Sequence, residues 1–303
     1  MNMLINAPFS PENKNMLLAA AKSFVETDNI ELADIIIGDI PRKYYGRLDD
    51  LKWLQLTSAG SDKIVYGGAV SKDTLLTNAS GAFGEIIAEY VIGGILCLYR
   101  DLFSYRNNQR KKIWYDTKIE RMIFGSRVLI LGCGNIGQCV SERLRAFGAF
   151  TAGVRRSREK CAAFDETYSV ELLDGLLPLA DIIVCALPKT LETEHLLNRE
   201  RLSLVKKDAL VVNVGRGSVI DTDALYEKLE SGQLYGAVLD VFEREPLEES
   251  SPLWEMENVL ITPHISGVSF GHSARTERLV AEICAENLRR YTAGEPLKNI
   301  VRL

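Results

Sequence analysis

The chain has 303 residues, enough for two domains of about 150 residues each, and 47% of them are apolar, sufficient for two packed cores. Lysine and arginine number 36 against 41 Asp and Glu, a formal net charge of −5, which gives no reason to expect nucleic acid or another polyanion as partner. The six cysteines are scattered with no C-x-x-C pair, which argues against a disulfide framework or a zinc site and suits buried thiols in a reducing cytosol.

The first ten residues, MNMLINAPFS, lack the basic and apolar regions of a secretory signal, and the longest apolar run, Val91 to Tyr99, is about half a bilayer span. The expectation is a cytoplasmic protein without a membrane segment. Ser10-Pro11-Glu12 reads as an N-cap with Pro in the first helical turn. Short runs rich in Val, Ile and Leu then recur with helical patterns between them. They are MLINA, ADIIIGD, KWLQLT and LLTNA, then RVLILG, FTAGV, DIIVCAL, ALVVNVG, GAVLDV and VLITPH. Ten strands alternating with helices predict an α/β protein with parallel sheets covered on both faces. RVLILG opens a second series, and a long helical stretch from about Phe83 to Asn108, opened by Gly81 to Gly84, bridges the two. The final helical stretch, about His272 to Tyr291, follows the last strand. The predicted organisation is residues 1–94 with 267–303 as one discontinuous domain, and residues 95–266 as a second domain, a doubly wound parallel sheet.

Gly132-Cys133-Gly134-Asn135-Ile136-Gly137 is a G-x-G-x-x-G placed directly after RVLILG and directly before the helical IGQCVSERLRAFG. The first glycine permits a tight turn, the second lets backbone approach a pyrophosphate, and the third lets helix and strand pack closely at a helix N-terminus that favours anions. About 20 residues on, where an acidic residue would hold the adenosine ribose, the chain reads Val154-Arg155-Arg156-Ser157-Arg158. A carboxylate would repel a 2′-phosphate, whereas guanidinium groups and a serine hydroxyl bind one, so NADP(H) is expected over NAD(H). Surface charge on an ordinary loop is the alternative.

Three further motifs close strands: Asn213-Val214-Gly215-Arg216-Gly217, Asp240-Val241-Phe242-Glu243-Arg244-Glu245-Pro246-Leu247, and Thr262-Pro263-His264. Ligands of open parallel sheets bind at the carboxyl ends of strands. Reduction of a ketone by hydride needs a proton donor to the developing alkoxide, a task suited to His; a carboxylate orients the imidazole, and Arg supplies fixed positive charge. Arg216, Glu245 and His264 fill these roles. Ala186, Leu187 and Pro188, with Val214 and Gly267, complete the candidate cofactor-binding set. No cluster has metal-ligand spacing, so no metal is expected. His195, on a helical pattern, reads as a surface or packing residue, and His272 as a capping or hinge residue.

With these motifs in this order, the chain resembles the D-isomer-specific 2-hydroxyacid dehydrogenase family, which pairs G-x-G-x-x-G with N-x-x-R-G, D-V-F-x-x-E-P-L and P-H. The resemblance implies a flavodoxin-like substrate domain built from both chain ends beside the Rossmann domain, with substrate in the cleft between them. It implies Arg216 as ligand of the substrate carboxylate and carbonyl, Glu245 as partner of the imidazole, His264 as acid/base, and Asp240 near the nicotinamide carboxamide. Thr57-Ser58-Ala59-Gly60-Ser61-Asp62 resembles the family's substrate loop, with Ala59 and Gly60 as the candidate binding residues, and Asn78-Ala79-Ser80-Gly81 resembles its rim. The arginines in place of the usual acid resemble the NADP-preferring glyoxylate/hydroxypyruvate reductase branch, which implies small 2-keto acid substrates, and a homodimer is the family's usual state. An NAD-linked lactate- or phosphoglycerate-type dehydrogenase, though without the regulatory C-terminal extension of many of the latter, and a dinucleotide-sensing co-repressor of the same fold are the alternatives.

Overall fold

The computed structural model describes residues 1–118, 121–157 and 159–303, so that Arg158 lies outside the described residues. It divides into two compact units, Met1–Phe83 with Val268–Leu303, and Gly84–Gly267. The first unit begins with β1 (Asn2–Asn6), α1 (Pro11–Ala20), β2 (Val25–Glu26), β3 (Ile35–Gly38), β4 (Trp53–Gln55), α2 (Asp62–Val65) and β5 (Leu75–Thr77). The second contains α3 (Gly84–Tyr99), α4 (Leu102–Arg110), β6 (Arg127–Leu131), α5 (Asn135–Ala146), β7 (Phe150–Arg155), β8 (Glu166–Ser169), α6 (Leu173–Leu176) and β9 (Ile182–Cys185). It continues with α7 (Arg199–Leu204), β10 (Leu210–Asn213), α8 (Thr222–Glu230), β11 (Gly236–Leu239) and β12 (Val259–Ile261), and α9 (Ala274–Ala293) and β13 (Ile300–Val301) then return to the first unit.

Each of the ten predicted runs is a strand. The strands that sequence reading missed, β2, β8 and β13, all lie at sheet edges, where two to four residues carry no apolar run long enough to mark a strand. Within the first unit the order is β2-β1-β3-β4-β5-β13, parallel except for β13, which is the flavodoxin-like arrangement with an added antiparallel edge. The second sheet runs β8-β7-β6-β9-β10-β11-β12, all parallel, the Rossmann order extended by one strand. Strands β9, β10 and β11 are buried along their whole length, because helices cover both faces of such a sheet.

The bridging stretch departs from expectation. It is two helices, interrupted at Arg100-Asp101, where Asp101 takes a left-handed conformation with φ 49°. The unit boundary falls at 83/84 instead of 94/95, because α3 packs along its length in the second unit. Gly94 lies so close to β11 that a Cβ there would stand 2.7 Å from Val238 Cγ1. The Tyr235 hydroxyl donates to the Leu98 carbonyl at 2.9 Å, and its ring meets Tyr99 edge-on at 5.6 Å.

Helix ends follow the capping signals. Asp221 caps α8 by accepting from the Ala224 N–H at 3.0 Å, and Gly232 closes the turn after it with φ 68°. Ser273 caps α9, so His272 precedes the cap. What fastens α9 to a sheet made from the other end of the chain is a buried polar network. Trp53 Nε1 donates to Thr77 Oγ1, which donates to Gln55 Oε1, which also accepts from Asn287 Nδ2 on α9, each at 2.8 Å. Asn287 Oδ1 accepts the Lys298 N–H at 2.8 Å, and Trp53 stacks on Tyr291 with ring centroids 5.1 Å apart. Replacing Asn287 by Ala would take one of two donors from Gln55 Oε1 and leave the Lys298 N–H and carbonyl without the side chain that now meets both. The expected outcome is a loss of about 1–3 kcal/mol, read as a lowered urea midpoint.

Candidate active site

The parallel register aligns the strand ends of the second unit. Val154, Leu131, Cys185, Asn213, Leu239 and Ile261 are Cα partners across β7, β6, β9, β10, β11 and β12. The residues that follow them are Arg155, Gly132, Ala186, Val214, Asp240 and Thr262. Every motif of the second unit therefore leaves the sheet along one carboxyl edge. At about 4.8 Å per strand, that edge is long enough for both halves of a dinucleotide. The main chain keeps the alignment beyond the strands: Gly132, Ala186, Val214 and Asp240 donate their N–H groups to Val154, Leu131, Cys185 and Asn213.

The glycines have separable roles. Gly132 has φ 111°, and a Cβ at Gly137 would lie 1.9 Å from the Gly132 carbonyl oxygen, so these two are required by the turn and by the helix packing on it. A Cβ at Gly134 would meet no protein atom within 4 Å. Gly134 is the N-cap of α5 and supplies no side-chain cap to the first-turn N–H groups of Asn135, Ile136 and Gly137. That combination of open space and uncapped donors fits a pyrophosphate. Gly84 N–H is held by the Asn135 side chain at 3.0 Å, which ties the start of α3 to the same turn.

At the end of β7, Arg155 is half-buried and Arg156 exposed. Arg155 Nη2 lies 3.3 Å from Glu159 Oε2, which also stands 3.5 Å from Ser157 Oγ. The basic loop thus carries an acidic group of its own, a feature the sequence reading did not weigh.

Asn213, buried at the end of β10, accepts the Gly215 N–H at 3.1 Å and donates to the Arg216 carbonyl at 3.0 Å, closing a turn that presents the Arg216 side chain. Arg216 Nη1 donates to the Gly215 carbonyl at 2.8 Å. Close contacts lock this turn: a Cβ at Gly215 would lie 2.5 Å from the Leu187 carbonyl oxygen, and one at Gly217 1.8 Å from the Phe242 carbonyl carbon. The Leu187–Pro188 segment and the Phe242 loop are thereby set against the arginine's own turn.

His264 Nδ1 lies 2.9 Å from Glu245 Oε2, both side chains being partly exposed, and the other carboxylate oxygen accepts the Phe242 N–H at 3.1 Å. His264 has φ 57°, a left-handed conformation that strains a residue with a Cβ. Asp240 holds it there. Its carbonyl accepts the His264 N–H at 2.8 Å, and its fully buried carboxylate accepts from Thr262 Oγ1 at 2.6 Å, from Ile265 N at 2.8 Å and from Ser266 N at 3.0 Å. Thr262 Oγ1 is 2.6 Å from the Tyr90 hydroxyl on α3. Because the threonine's one proton serves the carboxylate, Tyr90 is the donor of that bond. Burial pushes the Tyr90 phenol up to about 12, which keeps that proton in place. Asp240, expected beside the nicotinamide, has both oxygens engaged and no exposed surface, and it anchors the loop carrying His264 and Gly267. Tyr90 was missed because it lies 172 residues from Thr262.

A second imidazole–carboxylate pair was also missed. His195 Nε2 is 2.9 Å from Glu243 Oε2, so His195 is not a bare surface or packing residue. No local pattern announces a pair 48 residues apart. Among the described residues no group of three or more His, Cys, Asp or Glu could hold a metal ion, and no helix is long and apolar enough to cross a membrane.

In the first unit, Ala59 and Gly60 follow β4 and are half-buried. The Ala59 carbonyl accepts from Asn78 Nδ2 at 2.7 Å and the Gly60 carbonyl from Ser58 Oγ at 2.8 Å. The two loops singled out from sequence are therefore bonded to each other, and Asn299 donates to the Ser80 carbonyl at 2.7 Å from the far end of the chain.

Residues 92–266 match the family described as D-isomer specific 2-hydroxyacid dehydrogenase, NAD binding domain. A solved structure of a D-isomer specific 2-hydroxyacid dehydrogenase family protein from Aeromonas salmonicida is 35% identical, with a TM-score of 0.85 over 99% of this chain and 98% of that one. An NADPH-dependent glyoxylate/hydroxypyruvate reductase from Sinorhizobium meliloti, solved with NADP and sulfate, has a TM-score of 0.82 at 26% identity over 99% and 98% of the two chains. A glyoxylate/hydroxypyruvate reductase of Arabidopsis thaliana is 30% identical over 288 residues, 94% of this chain and 84% of its own length. The resemblance carried by the motifs holds, and the chain belongs to the D-isomer specific 2-hydroxyacid dehydrogenase family, as an NAD(P)-dependent oxidoreductase.

Proposed function

We propose that the protein reduces small 2-keto acids of the glyoxylate and hydroxypyruvate class to D-2-hydroxy acids with NADPH, His264 serving as the proton donor. The observation that carries the reading is the His264–Glu245 pair at 2.9 Å on the carboxyl edge that also bears the glycine turn. Glu245 accepts a hydrogen bond from the Nδ1–H, which leaves Nε2 as the atom that delivers a proton to the substrate oxygen and takes it back in the reverse direction. Arg216 supplies the positive charge for the carboxylate and the polarised carbonyl. In the loop after β4, the carbonyls of Ala59 and Gly60 are occupied by Asn78 and Ser58, and the main-chain N–H groups of Ala59 and Gly60 are the proposed ligands of the substrate. Those N–H groups suit a carboxylate.

The residues that would hold the dinucleotide are Gly132, Gly134, Asn135, Ile136 and Gly137 for the pyrophosphate, and Ala186, Leu187, Pro188, Val214 and Gly267 along the strand ends. Arg155, Arg156 and Ser157 would hold the 2′-phosphate. When bound, the cofactor supplies the hydride to the carbonyl carbon. The Arg155–Glu159 pair does not oppose phosphate binding strongly, since exposed pairs contribute about 0–1 kcal/mol and a phosphate offers Arg155 stronger charge-assisted bonds. Glu159 also supports a second reading, NAD(H) use, because its carboxylate could accept from a free ribose hydroxyl. A homodimer in a reducing cytosol completes the proposal, on the strength of the family's habit and six unpaired cysteines.

The direct test is loss of 340 nm absorbance with NADPH and with NADH, using glyoxylate, hydroxypyruvate and pyruvate. Faster oxidation of NADPH with either of the first two supports the reading; preference for NADH overturns the cofactor assignment, and no turnover overturns the substrate class. His264→Gln is expected to lower kcat by about 10²–10⁴-fold with dinucleotide affinity, measured by fluorescence titration, nearly unchanged. Arg155→Asp is expected to move the NADPH/NADH ratio of kcat/KM toward NADH; an unchanged ratio would place phosphate recognition elsewhere.

A further inference from the structure

Glu243 stands two residues before Glu245 in the loop that follows β11, and both of its oxygens are engaged. Oε1 accepts the Thr222 N–H at 2.9 Å and the Thr222 hydroxyl at 2.6 Å, at the first turn of α8. Oε2 accepts from the His195 ring at 2.9 Å. His195 belongs to the segment between β9 and α7, and is itself anchored: its N–H donates to the Ser218 carbonyl at 2.7 Å, and it holds a left-handed φ of 45°. Ser218 follows Gly217, whose absent Cβ would lie 2.3 Å from the Glu243 nitrogen. One carboxylate therefore joins three segments: the loop bearing Glu245, the first turn of α8, and the chain between β9 and α7 at His195, whose own N–H is held by Ser218, two residues after Arg216.

We propose that His195 and Glu243 form a clasp that positions Glu245, and through it His264, against the Arg216 turn, so that His195 is a positioning residue for the reaction. The inference rests on the catalytic reading given above. The Phe242 N–H orients one oxygen of Glu245 and the His264 ring meets the other, so any displacement of the 242–245 peptide is felt at the imidazole. Small misplacements of a reacting group lower rate steeply, whereas a half-exposed pair contributes little to global stability. The clasp thus serves geometry more than stability.

The clasp also responds to pH. The charged groups facing His195 are Glu243 from the loop after β11, Asp221 from the cap of α8, and Glu194 beside it in sequence, all acidic. The Glu243 hydrogen bond raises the His195 imidazole above its ordinary 6.5. Burial works to raise the Glu243 carboxyl, but the bonds from Thr222 and His195 outweigh it and hold it below 4.5. A raised imidazole contributes fully below 6.5 and loses its contribution as pH rises through the higher folded value; the lowered carboxyl keeps its contribution until pH falls through its own value. The clasp is therefore tight in mildly acid solution and relaxes from a charge-assisted to a neutral bond on the alkaline side.

The test is an NMR titration of the three imidazoles in the full chain, assigned with single His→Gln variants, alongside kcat and KM across pH. His195→Asn suits the left-handed backbone and keeps a neutral donor, and Glu243→Gln keeps the volume. We expect the His195 midpoint to lie above 6.5 and to fall in Glu243→Gln. We expect the His264 ring resonances to shift in that variant toward those of Glu245→Gln. We also expect kcat to fall about tenfold in both clasp variants, with KM for NADPH unchanged and one alkaline inflection of the wild type lost. A His264 signal indifferent to Glu243→Gln would overturn the clasp whether or not the enzyme turns over. A responsive His264 signal in a protein inactive toward every keto acid would support the clasp and sink the substrate reading instead.

Discussion

The loop that carries the proposed proton donor exists because a carboxylate is buried beneath it. Asp240 sits at the end of β11 with no exposed surface, and a bare charge there would cost several kcal/mol. Three donors meet it, one hydroxyl and two main-chain N–H groups, all from residues 262–266. The bonds that satisfy the charge are the same bonds that bend the chain through the left-handed His264. Remove the charge and the conformation, which costs about 1–3 kcal/mol by itself, loses three of the bonds that hold it. Tyr90 extends the arrangement onto α3.

A parallel sheet places such loops economically. Its strands are apolar, buried and interchangeable, and their register carries every strand end of the second unit to one line. The residues at the strand ends then differ from strand to strand: a glycine after β6, an arginine at the end of β7, an aspartate after β11, and a threonine two residues before the histidine after β12. The close approaches at Gly137, Gly215 and Gly217 make neighbouring loops rest on each other's backbone, so the loops are positioned by contact as well as by the strands that launch them.

The electrostatics of the second unit repeat one device. Two imidazoles, His264 and His195, each in a left-handed conformation, meet two carboxylates, Glu245 and Glu243, within one short loop. The basic loop at Arg155 has its own carboxylate in Glu159. None of these pairs is deeply buried, so each acts by orienting a side chain more than by adding to the stability of the fold.

Much of this was legible in the residues. Apolar runs of period and length suited to buried strands located ten strands, and the glycine spacing, N-x-x-R-G, the D-V-F motif and P-H fell at strand ends, because hydrophobic patterning and turn chemistry are local properties of the chain. The edge strands, the break at Asp101 and the boundary at 83/84 were not legible, since they depend on what packs against α3 and on pairing at sheet margins. Neither were the tasks of Asp240, Tyr90 and Glu243. An aspartate after a strand gives no sign of the buried turn that its carboxylate holds, and a histidine 48 residues from its partner gives no periodic sign of it. Sequence by itself determined the fold class, the family and the order of the motifs that carry the candidate site, because strand patterning and motifs are written within windows of about twenty residues. Only the tertiary structure decided which carboxylate serves which donor, because those bonds join segments distant in sequence and form only when the sheet brings its strand ends into line.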